Sequence, residues 1–202
     1  MNLVILDRDG VINHELSDFV KTADECVPID GSIDAIARLH QAGFTVVIAT
    51  NQSGLARGKF DLDDLEAMHE KLTTLVEAAG GEISAIFYCP HAPEDTCKCR
   101  KPKPGLLDAI EAEFNTSVEG VPFIGDTLRD LQAGVQKGCK PILVQTGNGP
   151  ATLTVLQQAS PVVDDLPLVT LEQVQIFDNL AAAADYLITA GIPSDNEQNQ
   201  RD

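Results

Sequence analysis

The sequence predicts an α/β fold, a doubly wound and mostly parallel sheet with helices on both faces. Short runs rich in β-branched residues alternate with helical patterns along the chain. Two helical stretches end in glycine just before an apolar run, at Gly43 and Gly138, as expected where a helix turns back into a strand. Strands joined by crossover helices form parallel sheets that are covered on both faces.

In the first half of the chain, strands and helices are expected in turn. Residues 3–6 (LVIL) are apolar and too few for a helix, and residues 32–41 carry apolar positions at helical spacing. Residues 44–49 and 83–88 are rich in β-branched and aromatic side chains, which favour strands. The long amphipathic stretch 62–79 between them predicts a crossover helix.

The second half continues the alternation. Residues 104–114 are predicted to form a helix that opens with proline. Strands are predicted at 121–124, 141–144 and 174–177, and helices at 128–137 and 179–188. The stretch 148–171 has no clear period. We expect a single domain over residues 1–190 and a disordered polar tail over 191–202. Without a second run of elements for a cap, substrate selection should fall to loops at the carboxyl ends of the strands.

Charge narrows the class of partner. The chain has 31 acidic and 14 basic residues, a formal net charge of −17, so nucleic acid would be repelled. The expected partner is a small molecule, and if it is phosphorylated, positive charge must be concentrated near its site.

We also expect no membrane partner and a cytoplasmic protein, because the N-terminus lacks a basic leader and no apolar run approaches about 18 residues. The oligomeric state is left open, with a monomer slightly favoured.

Polar residues stand at the ends of the first two predicted strands. Asp7 and Asp9 follow the first strand in DRDG, where Gly10 permits a tight exit. Such a pair can bind a divalent cation, although a solvated acidic turn has the same sequence. Thr50 and Asn51 follow the second strand in TNQSG, whose hydroxyl, amide and backbone donors suit phosphate oxygens. An ordinary turn is the alternative for this segment.

Cations and further carboxylates come later. Arg100 and Lys101 open the segment RKPK, three cations in four residues of an acidic chain. A lysine here could neutralise a phosphoryl group and nearby carboxylates, whereas a basic loop facing water is the alternative. Asp126 ends a strand in GDTLRD and should face the same crevice as Asp7. Asp130, in the first turn of the next helix, could cap that helix or bind a metal.

A separate set of soft ligands has the spacing C-x-H-x5-C-x-C: Cys89, His91, Cys97 and Cys99. Three thiolates and one imidazole form a closed tetrahedral set typical of structural zinc. Three reduced cysteines in a loop are the alternative, but thiols crowded in a Pro-rich polar segment are hard to explain as core packing. Zinc here would stiffen the loop that carries Arg100 and Lys101. Cys26 and Cys139 show no such pattern and are expected to be ordinary buried residues.

The ordered motifs DxDG, TN, KP and GDxxxD resemble the haloacid dehalogenase (HAD) superfamily of phosphohydrolases over roughly residues 3–145. The resemblance implies that Asp7 attacks phosphorus and becomes an aspartyl-phosphate. It implies that Asp9 protonates the leaving alcohol and then activates water. Such chemistry depends mainly on positioning and on neutralisation of charge.

The same resemblance implies a catalytic magnesium ion and a phosphoryl-binding pair. Asp7, Asp126 and the carbonyl of Asp9 would supply oxygen ligands of the kind that Mg²⁺ prefers. Thr50 and Lys101 would bind the transferring phosphoryl group, and the lysine would also balance carboxylate charge.

The longer combination DRDGVIN, TNQSG, CPH…CKCRKPKPG and GDTLRDLQAG is similar to the D-glycero-D-manno-heptose 1,7-bisphosphate 7-phosphatases. This capless branch of the superfamily serves the synthesis of lipopolysaccharide precursors, and the resemblance implies hydrolysis of the C7 phosphate. It also implies a set of substrate contacts: Asn13, Asn51, Gln52, Ser53, Arg57 and Arg100. The short zinc loop and Thr127, where a lysine can stand, leave the anomer preference at C1 open.

Several rival functions share parts of this pattern. Histidinol-phosphate phosphatase has a similar start and zinc loop, and the KPKPGLL continuation favours the heptose branch over it. A polynucleotide 3′-phosphatase conflicts with the net charge of −17. A receiver-like phosphoacceptor module would do better without the acid and base offered by Asp9. A purely structural zinc module leaves Asp7 and Asp126 unexplained.

Overall fold

Strands and helices alternate along the residues that the computed structural model describes, 1–158 and 168–190. The strands are β1 (Leu3–Leu6), β2 (Thr45–Asn51), β3 (Ala85–Cys89), β4 (Pro122–Gly125), β5 (Lys140–Val144) and β6 (Gln175–Phe177). The helices are α1 (Ser32–Gln41), α2 (Leu62–Ala78), α3 (Gly105–Phe114), α4 (Leu128–Gln136), α5 (Gly149–Gln157) and α6 (Leu180–Ala190), with a 3₁₀ turn at Leu171–Gln173.

The six strands form one parallel sheet in the order β3-β2-β1-β4-β5-β6. Strand β1 lies in the middle, paired with β2 on one side and β4 on the other. The strand order reverses at β1, and ligands of open α/β sheets bind beyond the carboxyl ends of the strands at such a reversal. The fold therefore brings the ends of β1, β2 and β4 to a single crevice, and the predicted fold class is confirmed.

The core lies on both faces of the sheet, which explains why β1 is apolar at every position. Val4 and Leu6 pack into the cluster under α1, α2 and α6, whereas Leu3 and Ile5 pack into the cluster beside α3. All four side chains are at most 2% exposed. A strand buried on both faces cannot alternate apolar and polar residues.

Local sequence signals set several element boundaries. Asp61 and Asp64 exchange side-chain and backbone hydrogen bonds at the start of α2, a capping box that satisfies otherwise unpaired N–H groups. Gly43 and Gly138 both have positive φ, 89° and 73°, directly after α1 and α4. Glycine adopts this conformation without the steric penalty that a Cβ brings.

Most observed boundaries lie within two residues of the predicted ones, and one element was missed. Helix α5 (Gly149–Gln157) falls in the stretch that showed no clear period. The predicted tail over 191–202 lies outside the described residues, and the single-domain boundary at 190 stays a prediction. Among the described helices, none combines the length and the apolar composition needed to cross a bilayer.

Candidate active site

The crevice at the end of β1 gathers three buried carboxylates. Asp7, Asp126 and Asp130 each place a carboxylate oxygen within 4.8 Å of the others. Asp7 follows β1 directly, and its backbone N–H donates to the carbonyl of Ile124 in β4 (2.9 Å). Asp126 follows β4, as the sequence predicts, and only 1% of its surface is exposed. Parallel pairing of β1 with β4 is what puts the two aspartates side by side.

Burial and mutual repulsion raise the proton affinity of two of these carboxyl groups. Burial, together with the charge of Asp130, raises the pKa of Asp7 to about 8, although Lys101 acts against the increase. The same two causes raise the pKa of Asp126 to about 7. Carboxylates that repel one another in a dry site favour either protons or a cation.

Lys101 is the buried cation that faces this cluster. Its ammonium lies 2.9 Å from Asp7 Oδ1 and 2.6 Å from Asp130 Oδ1, and it donates to the carbonyl of Ala49 (2.7 Å). Only 2% of Lys101 is exposed. Burial lowers the pKa of a lysine, but the charges of Asp130 and Asp7 outweigh it here and raise the pKa. The lysine is therefore a fixed positive charge.

The contacts of Asp130 fit the helix-capping role considered for it from the sequence, and its metal role stays a prediction. Its Oδ2 accepts from the backbone N–H (3.0 Å) and hydroxyl (2.6 Å) of Thr127, closing the capping box at the start of α4. Its Oδ1 faces Lys101. Burial raises its pKa, but Lys101 and the bonds from Thr127 outweigh burial and lower it. Oδ2 is therefore used by the helix cap, whereas Oδ1 pairs with the charge of Lys101 but has no hydrogen-bond partner.

Asp126 has one oxygen held and one oxygen free. Oδ2 accepts from the backbone N–H of Asn148 (2.7 Å) and from its side-chain amide (3.2 Å), whereas Oδ1 is buried without a hydrogen-bond partner. Gly10 and Gly147, both at positive φ, press against this carboxylate so closely that a Cβ at either would overlap it. A buried, unpartnered carboxylate oxygen beside Asp7 suits a hard cation with oxygen ligands such as Mg²⁺.

Asp9 occupies a different environment from the other carboxylates. It accepts from Asn13 (2.7 Å), from Gln52 (2.8 Å) and from Arg8, whose Nη2 lies 2.9 Å from Oδ2. Burial raises the pKa of Asp9, but the charge of Arg8 and the bonds from Asn13, Arg8 and Gln52 outweigh it and lower the pKa. Asp9 is thus held as a carboxylate at the pocket wall, with 22% of its side chain exposed.

The TNQSG segment enters the same crevice, and its first two residues, Thr50 and Asn51, are the last residues of β2 rather than following the strand as predicted. Thr50 is 1% exposed and its hydroxyl accepts from Gln52 (2.9 Å). The side-chain amide of Asn51 makes two hydrogen bonds to the backbone of Lys101: it accepts from the N–H (3.0 Å) and donates to the carbonyl (3.1 Å). Asn13, Gln52 and Ser53 are buried. Thr50, Asn51, Gln52 and Ser53 line the pocket, whereas Asn13 lies behind Asp9 and is not part of the pocket lining. Contact of any of these residues with substrate stays a prediction.

Arginines line the outer part of a pocket of about 340 Å³ that includes Asp7. Arg57 and Arg100 were expected there, and Arg129 was not. Burial, together with the nearby charges of Arg129 and Arg57, lowers the pKa of Arg100. Glu15 lines the same pocket and accepts from the side chain of Asn148. No sequence signal singled out Arg129, Glu15 or Asn148, because the first turn of α4 carries Arg129 and two separate loops carry Glu15 and Asn148, and only the assembled sheet brings them to one crevice.

The four soft ligands predicted from the sequence converge beside the pocket. Cys99 Sγ lies 3.3 Å from both Cys89 Sγ and His91 Nδ1, and Cys89 Sγ lies 3.9 Å from Cys97 Sγ and 3.5 Å from His91 Nδ1. A tetrahedral zinc with ordinary bond lengths separates its ligand atoms by about 3.5–3.8 Å. Cys26 and Cys139 are buried and are not part of this set of ligands, as expected.

Comparison with known proteins gives the family. Residues 98–168 match the model of a HAD-hydrolase-like family. A protein of Pseudomonas putida named D-glycero-β-D-manno-heptose-1,7-bisphosphate 7-phosphatase is 51% identical over 93% of this chain and 100% of its own length. The protein of that name from Bordetella bronchiseptica is 51% identical over 87% of this chain and 99% of its own length.

Solved structures agree with these relatives. The D,D-heptose 1,7-bisphosphate phosphatase of B. bronchiseptica, crystallised with magnesium and phosphate, is similar with a TM-score of 0.85 and 49% identity over 95% of this chain and 100% of the other. The corresponding protein of Burkholderia thailandensis has a TM-score of 0.67 and 40% identity over 92% of this chain and 98% of the other. The strand-end carboxylates, the buried lysine and these relatives agree: the chain belongs to the family of D-glycero-β-D-manno-heptose-1,7-bisphosphate 7-phosphatases, with a HAD-like fold.

Proposed function

We propose that this chain is a magnesium-dependent phosphatase that removes the C7 phosphate of D-glycero-β-D-manno-heptose 1,7-bisphosphate. The observation that carries the proposal is the contact of buried Lys101 with Asp7 at the end of β1, beside a pocket lined by arginines. Relatives at 51% identity bear the name of this activity, including the β anomer. A metabolic role in forming lipopolysaccharide precursors follows from that substrate.

Asp7 is proposed as the nucleophile. Its carboxylate oxygen attacks phosphorus while the bond between phosphorus and the C7 oxygen breaks. The negative charge of the bound phosphate would raise the pKa of Asp9 above its low value in the empty site, so that Asp9 takes up a proton and gives it to the C7 oxygen, and an alcohol leaves. Water then attacks the aspartyl-phosphate, Asp9 takes its proton, and phosphate departs with Asp7 restored. Lys101 and Thr50 would bind the phosphoryl oxygens, since both lie at the crevice floor.

Asp7, the free Oδ1 of Asp126 and the carbonyl of Asp9 would hold the magnesium ion. When bound, Mg²⁺ would neutralise charge on the phosphoryl oxygens. Asn148 would keep Asp126 turned so that Oδ1 stays directed at the site, because both of its contacts use Oδ2. The pKa values of Asp7 and Asp126, about 8 and 7 without metal, fit a site built for a cation.

The arginines support a substrate with a second phosphate. Arg57, Arg100 and Arg129 line one pocket of a chain whose net charge is −17. Such a concentration of cations would bind a distal phosphate, and it would repel the ammonium group of histidinol phosphate. We therefore place the C1 phosphate among these arginines, and Asn51, Gln52 and Ser53 around the phosphoryl end. Asn13, which is buried and donates to Asp9, would act on the substrate only through that carboxylate.

Zinc is proposed for the Cys₃His cluster on the strength of the distances between its ligand atoms. Arg100 donates to the carbonyl of His91 (3.3 Å), so the cluster and the arginine wall are directly joined. A bound zinc would fix this wall. The cytoplasmic location and the exclusion of nucleic-acid and membrane partners remain predictions from the sequence, and the oligomeric state stays open, with a monomer slightly favoured.

The test is phosphate release, with Mg²⁺ and with EDTA, from both anomers of heptose 1,7-bisphosphate, histidinol phosphate and fructose 1,6-bisphosphate. We expect Mg²⁺-dependent turnover with preference for the β-heptose bisphosphate. Preference for histidinol phosphate would refute the proposed substrate and leave the proposed phosphatase mechanism standing. Turnover unaffected by EDTA would refute the metal site.

A further inference from the structure

Arg8 is a buried cation that the four motifs leave unexplained. It is 0% exposed, and its Nη2 reaches both oxygens of Asp9, at 2.9 Å and 3.0 Å, while its Nε lies 3.3 Å from Oδ1. Among the described residues, no other carboxylate lies within 4.0 Å of this guanidinium. Burying an arginine is costly unless its charge is matched, and Asp9 supplies the matching charge here.

Two further residues fix the guanidinium of Arg8. Gln52 accepts from Nη2 through Oε1 (3.0 Å) while its amide donates to Asp9 Oδ2 (2.8 Å), so the amide bridges both partners. On the other side, His69 of α2 places Nε2 3.4 Å from Nη1. Burial, then the charge of Arg8, lowers the pKa of His69 to about 4, so a neutral ring can accept from the guanidinium.

We propose that Arg8, held by Gln52 and His69, is the positioning residue that sets the orientation of the Asp9 carboxylate for its two proton transfers. The inference rests on the proposed phosphatase function and deepens it. A guanidinium fork fixes the plane of the carboxylate it grips, which a lysine cannot do. Asn13, which donates to Asp9 Oδ1 (2.7 Å) and is fully buried, adds a third constraint from its own loop.

The two transfers have different consequences for different substrates. Loss of the P–O bond to a sugar oxygen requires the proton from Asp9, because an alkoxide is a poor leaving group. A p-nitrophenolate leaves without that proton. Hydrolysis of the aspartyl-phosphate requires Asp9 to accept a proton from water whichever substrate supplied the phosphoryl group. A misplaced Asp9 should therefore slow the hydrolysis of alkyl esters already at formation of the aspartyl-phosphate. It should slow the hydrolysis of aryl esters only at breakdown of the aspartyl-phosphate.

The experiment compares Arg8→Lys, His69→Leu and Asp9→Asn with wild type, using p-nitrophenyl phosphate and the heptose bisphosphate. His40→Leu is the matched control, a half-buried histidine on α1 that lines none of the site. We expect Arg8→Lys to retain a rapid burst of about one nitrophenolate per enzyme before a slow steady state. Its turnover of the heptose ester should fall about 10- to 100-fold. His69→Leu should show the same pattern more weakly, and His40→Leu should show none.

A double variant separates positioning from a general structural role. If Arg8 acts through Asp9, adding Arg8→Lys to Asp9→Asn should cause little further loss, because residues acting as a unit are not additive. A full additional loss would overturn the inference, as would an equal loss on both substrates without a burst. If Arg8→Lys fails to fold, the same comparison is made with His69→Leu, introduced into the wild type and into Asp9→Asn. If the wild-type protein releases phosphate from neither ester, the proposed function and this inference are both refuted. If it fails to hydrolyse only the heptose ester, the proposed substrate is refuted, and the nitrophenolate burst of Arg8→Lys still tests this inference.

Discussion

Replacing Lys101 with methionine tests the electrostatic account of the site most directly. The change keeps the length of the side chain and removes a charge that lies 2.9 Å from Asp7 and 2.6 Å from Asp130. At an effective dielectric constant near 20, a contact between two ionised groups at these distances is worth about 6 kcal/mol of Coulomb energy, before the opposing cost of desolvation. This energy applies in full to Asp130, whose pKa is lowered, and to Asp7 only in its ionised form, because the pKa of Asp7 is about 8. Measured losses on breaking a buried ion pair are about 3–5 kcal/mol.

We expect Lys101→Met to lower the free energy of unfolding by about 3 kcal/mol in EDTA, measured by urea denaturation. Mg²⁺ should stabilise the variant more than wild type, since the carboxylates lose their built-in counter-charge and the cation supplies one. Phosphate release should fall by a factor of about 100 or more, because a cation facing the phosphoryl oxygens is lost.

Lys137→Met is the matched control for this experiment. Lys137 also contacts two carboxylates, Asp108 at 2.9 Å and Glu111 at 2.6 Å, but at the surface. Exposed pairs contribute about 0–1 kcal/mol, so its variant should stay close to wild type in stability and activity. An unfolding free energy of Lys101→Met within about 1 kcal/mol of wild type would refute the reasoning, and so would equal stabilisation of both proteins by Mg²⁺.

Three further predictions concern single groups of the site. Asp7→Asn should abolish turnover with an unchanged or higher Tm in EDTA, because burial and Asp130 already make the ionised form of Asp7 costly; retained activity would contradict a covalent mechanism. Asn148→Ala should weaken Mg²⁺ binding about 3- to 10-fold by calorimetry, because it removes the 3.2 Å bond to Asp126 and leaves the backbone bond; unchanged affinity would argue against a positioning role. Cys97→Ser should lower the zinc content of purified protein below one ion per chain and raise KM more than it lowers kcat, and wild-type zinc content would contradict the ligand set.

The sequence was informative where local order sets the outcome. Capping residues, glycines after helices and apolar runs placed the predicted strands and helices close to their observed positions, since these signals depend on neighbours in the chain. It failed at α5, whose sequence GPATLTVLQ has few helix formers and whose burial is confined to Gly149, Thr152 and Leu156. That helix is stabilised by packing and by the hydroxyl of Thr152, which donates to the carbonyl of Asp126 (2.8 Å).

By itself, the sequence determined the fold class, the four strand-end motifs and the Cys₃His set, because each is a pattern of residue type and spacing. Only the tertiary structure decided which groups face one another. The pairing of Lys101 with Asp130, the grip of Arg8 on Asp9, the contact of Asn148 with Asp126 and the presence of Arg129 in the pocket all join separate loops or helices. Hydrogen bonds and ion pairs depend on distances of about 3 Å, and separation along the chain does not fix such distances until the sheet is assembled.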